Sequence, residues 1–128
     1  MTNSQKNNIK QWIKALRSGN YKQGNGYLKH GKDNDIYHCC LGVAIEIQGI
    51  KFVPVENQAN YYITTFDEAN SMTSPSCSWF EKIYGFYHTI NMFNDYDSPP
   101  NNLMILNDSR KYTFDQIADI IENKFIKN

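Results

Sequence analysis

The chain has 128 residues, 41% of them hydrophobic, with nine Tyr, seven Phe and two Trp; that is material for one core and no room for two. No secretory h-region stands near the start, and no apolar run approaches the roughly 20 residues that span a bilayer, so a cytoplasmic domain with no membrane partner is expected. The formal net charge is zero, which argues against a strongly basic nucleic-acid binder.

That zero hides an uneven distribution. Residues 1–32 carry seven cations (Lys6, Lys10, Lys14, Arg17, Lys22, Lys29 and Lys32) and no acid, whereas the remainder carries six cations and all thirteen acids. A basic front set against an acidic remainder fits an anionic partner, or one part of the chain neutralising the other. The cysteine count of three is odd, and Cys39 and Cys40 are neighbours, a spacing that disulfide geometry disfavours. A reducing compartment is the simple reading.

The first helix is expected from Ser4, as N-cap, to Arg17, with Ile9, Trp12, Ile13 and Leu16 forming its apolar stripe. Lys6, Lys10, Lys14 and Arg17 fall on a neighbouring face. A glycine-rich turn follows over 19–26, where Lys22 and Gln23 offer donors beside three glycines. Such a loop could cradle a phosphate, but it lacks the dinucleotide and Walker spacings, and a plain connecting loop is the simpler reading. Residues 27–38 read as a hairpin around His30–Asn34.

The segment from His38 to Gln48 is apolar almost all round and closes at Gly49, so it reads as a central buried helix in which Cys40, Gly42 and Ala44 allow close approach. Lys51–Val55 and Tyr61–Phe66 are β-branched and aromatic, and read as strands, with Pro54 confining the first to an edge or a strand end. A short helix around Trp79–Tyr84 stops at Gly85. Residues 86–98 are ambiguous in pattern, a further strand with an acidic turn being one reading. Another short helix through Leu103–Leu106 leads to Asn107, Asp108, Ser109 and Arg110. In the last helix Thr113 and Gln116 make a capping box, and Phe114, Ile117, Ala118, Ile121 and Phe125 share one face. The expected fold is α+β: a small single domain, residues 1–128, with a central apolar helix, amphipathic helices at both ends and a small antiparallel sheet or hairpins.

No complete catalytic motif is present. Cys39 and Cys40 lie near a helix start, where thiolates are stabilised, but small buried residues are the plainer reading. His30, His38, Cys39, Cys40, Cys77 and His88 show no metal-ligand spacing, and no motif asks for a cofactor. Asp95, Asp97 or Asp108 with a histidine would be needed for acid–base work, and no recognisable arrangement supports it. The cluster Asn107, Asp108, Ser109 and Arg110 suits ribose and base edges, or an Asx-type turn.

Several motifs occur together in order: Leu16-Arg17-Ser18-Gly19-Asn20-Tyr21-Lys22-Gln23-Gly24, Cys39-Cys40-Leu41-Gly42-Val43-Ala44, Leu106-Asn107-Asp108-Ser109, and Thr113-Phe114-Asp115-Gln116-Ile117-Ala118-Asp119-Ile120-Ile121-Glu122. They resemble a family of small uncharacterised proteins encoded by tailed bacteriophages and prophages. The resemblance implies a protein working in a bacterial host cell as an antagonist of host defence. One strategy of such proteins is to sequester a nucleotide immune signal, such as a cyclic ADP-ribose isomer or a cyclic dinucleotide, often as a homo-oligomer. On that expectation Arg17, Tyr21, Lys22 and Gln23 would meet phosphates and stack on the base, and Asn107, Asp108 and Arg110 would meet ribose or base. Two alternatives stay open: a protein-binding inhibitor of a host defence enzyme, and a small nucleotide hydrolase using His38 or His88.

Overall fold

A computed structural model describes residues 1–56, 58–64, 72–93 and 101–127. The chain runs α1 (Asn3–Arg17), β1 (Lys22–Gln23), β2 (Lys29–Lys32), β3 (Asp35–His38), α2 (Cys40–Glu46), β4 (Phe52–Val55), β5 (Gln58–Thr64), α3 (Cys77–Tyr84), α4 (Leu103–Asp108) and α5 (Phe114–Phe125). It is a small α+β domain. The helices pack on one another, and the strands form a sheet of order β1-β3-β2-β5-β4.

Helix α1 begins two residues earlier than its sequence suggests. Thr2, in place of Ser4, is the N-cap, because Gln5 returns a bond to the Thr2 backbone N–H and completes a capping box. Its expected stripe of Ile9, Trp12, Ile13 and Leu16 is buried. Helix α5 starts at the Thr113–Gln116 box, as expected. Helix α3 stops at Gly85, whose φ of 84° is the left-handed conformation that glycine adopts without a Cβ clash.

The hairpin β2–β3 pairs Lys29 with His38 and Lys32 with Asp35. Two features escaped the sequence reading here. His38 belongs to β3, and Cys39 is the cap of α2, its sulfur accepting from the Gly42 N–H at 3.4 Å, so the helix starts two residues later than expected. The sheet is also mixed, because β1 pairs parallel to β3. Helix α2 ends at Glu46 with Ile47 as C-cap, two residues before Gly49. Pro54 stands on β4, the outermost strand, as a residue without an N–H requires. Residues 86–93 contain turns and bends and no strand, which corrects that part of the expectation; Phe66 and residues 94–98 lie outside the described residues.

The core forms around α2, in which every residue from Cys40 to Ile45 is buried. Trp12 of α1 donates its indole N–H to the Cys40 carbonyl at 3.0 Å and meets Tyr84 and Phe80 at ring-centroid distances of 5.0 and 5.7 Å. Tyr84 donates its hydroxyl to the Ala44 carbonyl at 2.6 Å, so α3 is tied to α2 as well. Gly42 is where backbone meets backbone: any Cβ there would overlap the carbonyl oxygen of Leu28. Gly42→Ala must therefore push α2 from the β1–β2 connection, at a cost of about 3 kcal/mol or more. Urea unfolding of this variant is expected to show a midpoint loss of that size, and an unchanged midpoint would show that the contact is soft.

Candidate functional site

The end of α1 lies beside the start of α5, and Arg17 spans the seam. Its guanidinium donates to Asp119 at 2.6 Å and to both carboxylate oxygens of Glu122 at 3.2 and 3.3 Å. Hydrogen bonding to Glu122, then Asp119, raises the Arg17 pKa, and Arg17 in turn holds the Glu122 carboxyl below the ordinary range, with Lys127 assisting at 3.4 Å.

Two cavities share Arg17 in their lining. The larger, about 460 Å³, is lined by Lys10, Ile13, Lys14, Arg17 and Ser18 of the α1 end and by Glu122 of α5. The smaller, about 280 Å³, is formed by Leu16, Arg17, Gly19, Tyr21 and Gln23 against Thr113, Phe114 and Asp115. Lys10 and Lys14 are exposed, and among the described residues neither has an ion-pair partner within 4.0 Å. Nor does Asp115, which stands in the first turn of α5.

The two candidate segments of the sequence meet in space. The Gln23 amide N–H donates to the Asn107 side-chain oxygen at 3.0 Å and to the Tyr112 carbonyl at 2.7 Å, while its oxygen accepts from the Phe114 N–H at 3.0 Å. The Asn107 amide is fully buried. It donates to the Gly24 carbonyl and to Asp108, both at 2.8 Å, and accepts from the Cys40 N–H at 3.2 Å. These bonds hold α2, α4 and the two loops together, and they occupy the Gln23 and Asn107 groups that a ligand would use.

Of the other candidates, Arg17 and Tyr21 line the cavities, with Tyr21 half-buried and set edge-on to the His38 ring at 5.1 Å. Lys22 is on β1, paired with Asp35 at 3.1 Å. Asp108 accepts from Asn107, and Arg110 is exposed at the α4–α5 corner; neither lines either cavity. Asn107→Ala would strand the Cys40 N–H and the Gly24 carbonyl in the interior and cost about 2–4 kcal/mol. Chemical denaturation should register that loss. A change within 0.5 kcal/mol would mean that the Asn107 amide is not structural.

A family model matches residues 5–125, from the first turn of α1 to the end of α5. The chain belongs to the family described as Domain of unknown function (DUF8296). No curated protein and no solved structure matches it.

In this DUF8296 domain Cys39, Cys40, His38 and His88 line neither cavity, although the His38 ring meets Tyr21 of the second. Cys39 and Cys40 are buried; burial pushes the Cys39 thiol up to about 12 and the Cys40 thiol well above its ordinary range, so both remain protonated near neutral pH. His38 is buried, with its Nε2 3.8 Å from Glu46, too long for a good hydrogen bond. The facing His38 ring, then Lys29 at 3.3 Å, hold the Glu46 carboxyl below its usual range. His88 is buried with its Nε2 3.2 Å from the Pro75 carbonyl and 3.4 Å from the Cys77 sulfur, a proximity that sequence spacing does not reveal. Among the described residues no three His, Cys, Asp or Glu side chains gather to hold a metal, and Asp95 and Asp97 lie outside them.

Burial lowers the pKa of both His30 and His88 in the folded state, with neighbouring His38 adding to the effect at His30. In the unfolded chain the same residues take up protons as the pH falls through about 6.5. The unfolded state then binds more protons than the folded one, so stability is greatest above this range and falls as the pH drops from 7.5 to 5.5. Thermal melts across that window are expected to show a declining midpoint, with a shallower slope for His88→Asn whatever its overall stability. A flat profile for the parent protein would contradict burial of these rings.

Proposed function

We propose that this DUF8296 protein binds a phosphate-bearing, nucleotide-derived messenger in the groove between α1 and α5 and sequesters it without cleaving it. The observation that carries this reading is the cavity of about 460 Å³ lined by Lys10 and Lys14, two cations without carboxylate partners among the described residues, together with the apolar Ile13. Ligand sites of small molecules are commonly concave, largely apolar and roughly 300–1,000 Å³, with a few placed polar groups. Two ammonium groups one helical turn apart suit a phosphate or diphosphate.

Binding without turnover is supported by the composition of the groove. Its lining holds no histidine or cysteine, its glutamate is tied to Arg17 and Lys127, and the Ser18 hydroxyl is engaged, donating to the Ala15 carbonyl at 2.6 Å and accepting from the Asn20 N–H at 3.1 Å. The motif resemblance to small tailed-phage proteins supports the biological role, antagonism of host defence by holding a cyclic ADP-ribose-type or cyclic dinucleotide signal. A second reading has its own support: Lys6, Lys10 and Lys14 are all exposed on α1 and would suit an acidic surface on a host defence enzyme.

One experiment separates the two. Protein is incubated with lysate of infected, defence-carrying cells and recovered, and the molecules released by heat are analysed by mass spectrometry beside those of Lys10→Glu/Lys14→Glu. An intact nucleotide at one equivalent per site, reduced about a hundredfold in the double variant, is the expected result. A host protein retained by the parent and lost by the variant, with no nucleotide, would move the assignment to the protein-binding reading. Protein that returns empty would end the sequestration reading.

A further inference from the structure

Arg17 lines both the groove assigned to phosphate and the second cavity. Their chemistry is opposite. Among the described residues, the first presents two ammonium groups without an ion-pair partner, whereas the second presents the carboxylate of Asp115, likewise without one, beside Tyr21 and the buried Phe114. A phosphate is repelled from a carboxylate, which is an acceptor only at neutral pH and calls for hydrogen-bond donors. The aromatic and aliphatic lining from Tyr21, Phe114 and Leu16 suits a flat heterocycle. Gly19 also lines this cavity, and the space beside it is open, since a Cβ at that position would meet nothing within 4 Å.

We infer that the two cavities form one bipolar site, in which the second takes the nucleoside end of the ligand and Asp115 recognises a pair of adjacent donors on it. This rests on the phosphate reading of the first cavity and adds a direction and a selectivity to it. Two ligand groups offer such a pair: the N1–H and exocyclic amine of guanine, and the cis-diol of ribose. Either would place two donors on the two oxygens of one carboxylate, a charge-assisted bidentate contact. The second cavity, at about 280 Å³, has the scale of a nucleoside and is too small for a whole dinucleotide. Arg17, fixed between Asp119 and Glu122, forms the wall that both ends of the ligand would share.

The test uses the full chain and titration calorimetry with pyrophosphate, GMP, AMP, IMP and 2′,3′-dideoxy-GMP, on the parent protein, Asp115→Asn and Lys10→Glu/Lys14→Glu. Recognition of guanine predicts that GMP binds the parent about tenfold or more tightly than AMP and IMP, and that Asp115→Asn removes the advantage. Recognition of the diol predicts similar affinity for the three ribonucleotides, a tenfold loss for the dideoxy probe, and loss of that difference in Asp115→Asn. Pyrophosphate binding is expected to depend on the two lysines and to ignore Asp115. Should pyrophosphate bind through the lysines while no nucleotide gains over it and Asp115→Asn changes nothing, the bipolar site is wrong and the phosphate groove stands. Should no probe bind the parent, both fall together.

Discussion

The buried carboxamide of Asn107 is the joint on which the arrangement rests. It joins the Gly24 carbonyl, the first backbone N–H of α2 and the side chain of Gln23, and Gln23 passes the connection on to the first amide of α5. Each partner is a group that folding takes from water, and leaving one unpaired costs about 1–3 kcal/mol. The loop after β1, the start of α2 and the α4–α5 corner are therefore held to one another with little slack. The second cavity inherits its shape from this joint, since Gln23 and Phe114 both line it.

The uneven charge of the sequence resolves into two uses. Arg17, Lys22 and Lys29 are answered by Asp119 and Glu122, Asp35, and Glu46, so part of the basic front is neutralised by acids later in the chain. Lys29 also sits over the rings of Phe52 and Tyr62, at 5.3 and 5.0 Å from their centroids, which anchors the β4–β5 hairpin to β2. Lys6, Lys10, Lys14 and Lys32 have no such partner among the described residues, and Lys10 and Lys14, one turn apart, line a groove. Internal pairing and an outward field, which composition left as alternatives, thus coexist on different residues.

What could be read from sequence was local. The cap of α5, the buried stripe of α1, the β2–β3 hairpin and the glycine stop of α3 each depend on residues within one or two turns of one another. Strand β1 could not be read this way, because two residues paired parallel to β3 carry no periodic signal of their own. The cap of α1 was misplaced because Thr2 and Ser4 are both good capping residues, and only the Gln5 side chain decides between them. The site divided along the same line. Arg17, Tyr21 and Gln23 were singled out as neighbours in a motif and do line the cavities. Asp115 enters only because the fold brings the start of α5 to the end of α1. Asn107 attracted a ligand reading as one polar member of the Asn107–Arg110 cluster, and the same donor and acceptor groups make it an internal tie.

Pro54 on the outermost strand carries a consequence for how copies of the molecule can meet. Strand β4 offers an incomplete set of donors and a bulge beside the proline, and the opposite rim, β1, is two residues long. Neither rim is a template on which another chain could extend the sheet by main-chain pairing, the route by which small β-containing domains coalesce into fibrils. Growth by strand addition is thereby discouraged from both sides. The helical layer is left as the ground on which any ordered assembly would be built, the same layer that carries the groove.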